Sequence, residues 1–362
     1  GDTGNAVTIT SATGTTVQNT TSGTITTTGL LQTTGKGDVN VTSESGKIIL
    51  NAASDGAKAI DSKGSANVTN NYNDSANADA GDIAVNAGVS AADDVSITTK
   101  TGDINFGEKE GDVVNITIHA ADTTNIETAT GNITAYANID SVNGTTMKTT
   151  TNGSITNYGT VKATAATGSV NMSTVGTDGS ITNKAVEAGN NVIQKAATTL
   201  TNSGAVTATN GYVDMDAAGL ITNSSTVKGN TYVTMDSSAG GITNTGKVTS
   251  TAGYVTMNAK DKTYGIIQNN AVQGYTNVTL NAGKSLTNSG EITADTGYVD
   301  MDAVTSITNT AGVSANTGIT MDATSGSITN DNDDNNVTVT STKGDITMNA
   351  KTSIENDAVT AS

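Results

Sequence analysis

The 362-residue chain contains no cysteine, proline, tryptophan or arginine, one histidine (His119) and one phenylalanine (Phe106). Without cysteine there is no disulfide framework, thiol nucleophile or thiolate metal site, and a single histidine excludes a histidine-rich metal centre. All 17 basic residues are lysine, against 34 acidic ones, so the formal net charge is -17. That balance opposes contact with nucleic acid phosphates or an anionic membrane surface, and neither is expected as a partner. No stretch approaches the roughly 18 apolar residues that span a bilayer, and Gly1 opens no basic-then-apolar leader. The sequence is therefore expected to be soluble, without membrane insertion, any export signal having been removed.

Aromatics make up only 3% of the chain, too few for an ordinary large core, while Thr (70), Asn (41), Gly (40) and Ser (30) supply half of it. Disordered chains are also poor in aromatics, but they are rich in Pro, Lys or Glu and poor in the β-branched residues that abound here. The alternative is a thin core repeated many times, which directs attention to internal periodicity.

From Gly153 onward one phrase recurs, at Ile155-Thr156-Asn157, Ile181-Thr182-Asn183, Leu200-Thr201-Asn202 and so on to Ile354-Glu355-Asn356, with spacings of 19 to 26 residues and a mean near 22. Two further alternating phrases lie between copies. Val206-Thr207-Ala208 typifies one, and Gly253-Tyr254-Val255-Thr256-Met257-Asn258-Ala259 the other. Seven of the eight methionines occupy a single slot of the latter phrase. Period-two alternation puts Val, Met and Ala on one face and Tyr, Asp and Thr on the other, as a half-buried strand requires. Three short strands joined by Gly, Asn, Asp and Ser corners cannot enclose a core alone. Stacked coils can, each strand pairing in parallel with its equivalent one turn away.

The expected fold is all-β: a right-handed parallel β-helix, or β-solenoid, with about three strands per coil of about 22 residues and roughly 16 coils. The absence of proline fits, since most positions must donate a ladder hydrogen bond. Residues 1–152 follow the same grammar less strictly, as in Gly81-Asp82-Ile83-Ala84-Val85-Asn86-Ala87, with an excursion expected near 53–80. Residues 153–362 carry the regular repeats, and the whole is expected to be one continuous solenoid.

Phrases such as Gly344-Asp345-Ile346-Thr347-Met348-Asn349-Ala350 and Gly153-Ser154-Ile155-Thr156-Asn157 resemble the filamentous-haemagglutinin-like bacterial exoproteins. The resemblance covers most of the chain. It implies a right-handed β-helix, secretion to the extracellular space or cell surface, and a role in attachment or surface fibres.

In a solenoid each slot becomes a column. The Asn column (Asn157 to Asn356) is in phase with buried Ile and is expected to be an internal stack of mutually bonded amides. Asp216, Asp236, Asp302 and Asp322 share an outward slot where neighbouring carboxylates repel. Calcium along this stripe, or at Asp331 and Asp333, would relieve that repulsion; the alternative is an acidic, solvated face. Tyr212, Tyr232, Tyr254 and Tyr298 share another outward slot, interrupted at Asn277, and are candidates for glycan contact or for simple stabilisation of the sheet.

Enzymatic readings are weak. No arginine is present for lyase chemistry, the Asp pairs recur regularly where an active site is unique, and His119 has no evident partners in the sequence. No catalytic residues and no cofactor other than calcium are expected. Strand edges at the two ends lead to a further expectation. Val7 and Ile9 resemble a third strand, and Val17-Gln18-Asn19 resembles the coil-opening phrase, while Ile354, Asn356 and Val359 close the chain two strands into a coil. Joined tail to head, Ile354 and Val17 lie 25 residues apart, within the repeat range. The sequence thus suggests a structural subunit that polymerises head to tail with itself by strand complementation, for adhesion or biofilm scaffolding. The second reading is a glycan- or receptor-binding stalk segment of a larger adhesin.

Overall fold

The computed structural model describes residues 8–54, 56–108, 116–331 and 337–362. It is 60% strand and 2% helix, wound into about 15 parallel coils of about 22 residues, a β-solenoid. The chain divides into two compact units, Gly1–Gly189 and Asn190–Ser362.

In the second unit a coil consists of an opening strand such as Ile221–Asn223, a middle strand such as Val227–Gly229 and a closing strand such as Tyr232–Ser237. Each lies in parallel register on the strands of the next coil, Ile242–Ser250 and Tyr254–Ala259. Ile221 faces Ile242, Asn223 faces Asn244, Val227 faces Val248 and Met235 faces Met257. The inward residues Ile242, Val248, Val255 and Met257 are fully buried. Each of these columns sums many individually small burials, which is how a chain almost without aromatics acquires a core. Thr and Val suit the pleated surface because their branched side chains already have restricted rotamers.

The corners call for glycine at particular points. A Cβ on Gly253, just before a closing strand, would lie 1.6 Å from the Thr231 carbonyl oxygen of the coil below. Gly153, just before an opening strand, has φ of +135°, a backbone region that side chains disfavour.

The Asn column behaves as expected. In the second unit Asn202 Nδ2 donates to Asn223 Oδ1 at 2.7 Å, Asn223 to Asn244 at 2.7 Å, Asn244 to Asn269 at 2.9 Å, and the chain of amides continues to Asn356. The second amide proton goes to a corner carbonyl, as from Asn223 to Ser225 O at 2.6 Å. In the first unit Asn157 donates to Asn183 Oδ1 at 3.0 Å. Below Asn157 the same column holds Leu50, Val85, Phe106 and Ala135. The change of grammar after residue 152 is therefore the start of the amide ladder, whereas the boundary between units falls at Gly189 and Asn190.

Two expectations are corrected. The stretch 53–80 is not one excursion, because Lys58–Ser62, bulged at Ala59, and Ala66–Asn70 are middle and closing strands with Ile60, Ala66 and Val68 fully buried. The departure from the coil plan lies after them, where Ser75–Gly81 forms 3-10 turns capped by Asp74. Its composition, rich in Ala, Asp and Asn, masked the period-two burial that precedes it. The second correction concerns the first coil. Ile9–Ser11 pairs with Leu31–Thr33 as a middle strand, and Val17-Gln18-Asn19 faces Val41-Thr42-Ser43 in the closing column, so it is not a coil-opening phrase. Asn19 donates instead to backbone carbonyls of Gly23 and Ser45.

Replacing Asn244 by Ala leaves Asn223 Nδ2 and Asn269 Oδ1 without partners inside the column. The expected cost is about 2 to 4 kcal/mol, seen as lost amide hydrogen-exchange protection in the adjoining coils, from about residue 221 to 270. Unchanged protection there would mean that the amide column carries no structural weight.

Candidate functional site

The outward face of the closing strands in the second unit gathers most of the candidate residues. Because each strand repeats in register, its outward slots form three parallel rows. One contains Tyr212, the next runs from Ile193 to Asp214 and beyond, and the third from Lys195 to Asp216 and beyond.

Along the third row the neutralising partners change from coil to coil. At its base Lys195 Nζ lies 3.1 Å from Asp216 and 3.5 Å from Asp214, and Thr234 Oγ1 donates to Asp214 at 2.6 Å. One coil further Asn258 donates to Asp236, and Asn281 Nδ2 donates to Asn258 Oδ1 at 2.9 Å. Asp302 follows Asn281 in the row, Asp322 follows Asp302, and Asp300 lies beside them. Burial, reinforced by Asp300 and then Asp322, pushes the Asp302 carboxyl up to about 6. Asp300 is raised by burial and by Asp322. Asp216 is also raised by burial and by Asp214, with Lys195 working against the shift.

Beside this upper stretch lies an open groove of about 510 Å³, walled by Asn258, Asn281, Asp302 and Asp322 and flanked by Lys260 and Val304. Carboxylates on adjacent rungs are about 4.8 Å apart, close enough for one cation to bridge. Among the described residues no three Asp, Glu or His side chains converge as a metal site. Asp331 follows the opening strand Ser327–Asn330, away from the stripe, and Asp333 lies outside the described residues.

The tyrosines do not form one continuous row of free faces. Tyr212 and Tyr232 stack with ring centres 4.5 Å apart and planes within 6°, and Tyr232 and Tyr254 at 5.2 Å and within 5°. Their faces are consumed by one another. Burial, with Tyr212 and Asp214 nearby, pushes the Tyr232 hydroxyl up to about 12. Tyr254 and Tyr298 are the exposed members.

Of the residues expected at subunit contacts, Ile9, Ile354 and Val359 are each close to half exposed and Asn356 is exposed. Val17 and Asn19 are partly buried, and Val7 lies outside the described residues.

Sequence reasoning missed two features of the first unit. Tyr136 and Tyr158 stack at 4.4 Å within 4°, a pair foreshadowed by the 22-residue spacing of Ile133 and Ile155 before them. In the middle column His119 Nδ1 lies 3.1 Å from Asp140, and Lys162 Nζ 2.8 Å from Glu187. The register Ile118, Ile139, Val161, Val186 would have stacked those side chains.

A carboxyl whose pKa is raised on folding binds a proton more readily in the folded chain than in the unfolded one. Its contribution to stability is present below its ordinary value of 3.8 and is lost as pH rises through about 6. Asp302→Asn should therefore raise the melting temperature at pH 8, by the equivalent of about 1 kcal/mol after solvent screening, and have little effect at pH 4. Equal effects at the two pH values would refute the account of the stripe. No family model, curated protein or solved structure matches the chain.

Proposed function

We propose that the chain is a non-enzymatic structural subunit of a secreted surface fibre, an adhesin-like scaffold of the filamentous-haemagglutinin-like kind that stacks head to tail on copies of itself. The observation that carries this reading is in-register coil stacking: each described coil takes another on its face through parallel strand pairing and like-on-like columns. Ile354 and Val359 continue the columns of Ile328 and Val339, both fully buried under the coil that follows them. Ile9 continues the column of Leu31, which is 3% exposed. A strand edge that offers free backbone groups beside apolar side chains is a template for another strand. The proposal concerns the surface that these coils present, whatever chain precedes or follows them.

The contact is a whole coil laid on a coil, with no strand donated to fill a gap. Ala358–Ala361 takes Ile9–Ser11 of the next copy, Ile354–Asn356 takes Ile25–Thr27, and Ile346–Ala350 takes Thr15–Ser22. This sets Val359 on Ile9, Ile354 on Ile25 and Met348 on Val17. A heterologous contact of this kind does not close, and so it gives a filament. The charge of -17 opposes association between copies, and salt screens that repulsion. Repeated acidic and hydroxylic rows keep such a fibre hydrated and suit an extracellular scaffold. A calcium ion bridging Asp302 and Asp322 would add stability that a chelator removes as a drop in melting temperature.

Because the chain lacks cysteine, paired substitutions report the register directly. Thr10→Cys with Thr360→Cys should give oxidised ladders of oligomers, and Thr10→Cys with Glu355→Cys should not. Filaments should appear by electron microscopy as salt is raised and vanish with Ile354→Asp plus Val359→Asp. A polypeptide that stays monomeric at high protein and salt concentration would rule out self-assembly.

A further inference from the structure

The tyrosine ladder of the second unit has one missing rung. Tyr212, Tyr232 and Tyr254 stack one per coil. The next coil places Asn277 in the slot, its carbonyl oxygen accepting from Val255 N–H at 2.9 Å. The coil after that restores the aromatic with Tyr298, whose backbone N–H donates to Asn277 Oδ1 at 3.1 Å. Tyr254 has a partner ring on the Tyr232 side only, and across the vacancy stands Tyr298. The two are 40% and 45% exposed. Rungs in this ladder are 4.5 and 5.2 Å apart, so two strand steps, about 10 Å, separate Tyr254 from Tyr298. That leaves room for a single ring between them. Tyr275, on the turn leading into the same coil, is 45% exposed. It is anchored by its N–H donating to Ser250 O and its carbonyl accepting from Thr296 N–H and Oγ1.

We infer that this vacancy is a carbohydrate site that takes one pyranose ring, a terminal or branch sugar of a glycan, between Tyr254 and Tyr298. The C–H face of a pyranose stacks on an aromatic face as another ring would. The rim selects a hydroxyl-rich guest over a plain aromatic one. Asn277 Oδ1 is engaged by Tyr298 N–H, which leaves its Nδ2 as a donor, and Thr256, Thr279 and Asp300 follow the three slots two residues further along their strands. Asp300 supplies a carboxylate for a pair of hydroxyls. Among the described residues this is the one slot of the column with a tyrosine on either side; on their other sides Tyr212 meets Asn191 and Tyr298 meets Gly318. It stands apart from coil stacking and survives if the chain proves monomeric.

The test titrates the full chain with methyl glycosides of glucose, galactose, mannose and N-acetylglucosamine, read by saturation-transfer NMR and by tyrosine fluorescence, which no tryptophan obscures. At least one glycoside should saturate in the millimolar range. Asn277→Tyr fills the missing rung with the residue the ladder uses elsewhere, so the fold is retained while affinity falls at least tenfold. Tyr298→Ala should do the same, and Tyr212→Ala, two rungs away, should leave binding unchanged. Failure of every glycoside to saturate, binding undiminished in Asn277→Tyr, or preference for benzyl alcohol over all the sugars would each overturn the assignment.

Discussion

In-register parallel stacking is the constraint on which every other feature depends. When a strand lies on its own equivalent one coil away, each side chain lies on a residue of the same slot, about 4.8 Å distant. A slot is then stable only if its occupant tolerates a copy of itself. Aliphatic side chains do, through burial. Carboxamides do, because each carries both donor and acceptor and the column bonds itself, as Asn202 through Asn356 do here. Tyrosine does, by stacking. Carboxylates do not, and the structure copes with them in three ways: a lysine in the same slot one coil away at Asp216, an intervening amide at Asp236, and a carboxyl pushed toward its protonated form by burial and its acidic neighbours at Asp302.

The two units meet the constraint with different chemistry. The first fills much of its opening column with Leu50, Val85, Phe106 and Ala135, and in its middle column it sets donors against acids, His119 beside Asp140 and Lys162 beside Glu187. The second uses amides inside and a row of acids and amides outside. An amide column cannot slip by one coil without presenting the same partners again, so it contributes little to choosing among registers. The irregular spacings of 19 to 26 residues, carried in the corners, give each coil its own length.

Much of this was legible in the sequence because a solenoid writes its architecture as period. The Ile-Thr-Asn phrase and the methionine slot announced the strands, their faces and the amide column. Legibility failed where composition and a bulge hid period: Lys58–Ser62 buries Ala59 next to Ile60, and the buried Ser62 and Asn70 are polar. It failed again at Val17-Gln18-Asn19, which matches the opening phrase letter for letter in type but belongs to the closing column. A short apolar-polar-Asn triplet specifies a strand; which of three columns it joins is decided by the lengths of the corners around it. The tyrosine row was visible, yet whether rings offer their faces outward or to one another is a matter of side-chain direction, which period alone does not encode.

A surface made of identical rungs can be specific only where the repetition fails. Along an unbroken ladder, a ligand that fits one rung fits its neighbours nearly as well, and each rung is already covered by the next. Two features escape this. On the face of any coil the columns are ready to continue, as Ile354 and Val359 continue those of Ile328 and Val339; on the proposed reading, a coil of another copy can continue them. Inside the ladder a single unlike residue, Asn277 among tyrosines, leaves two ring faces apart with polar groups along one side; what completes that pattern is a ring. Recognition in such a fold follows from the order of the scaffold, because the shape of each vacancy is set by the columns on either side of it.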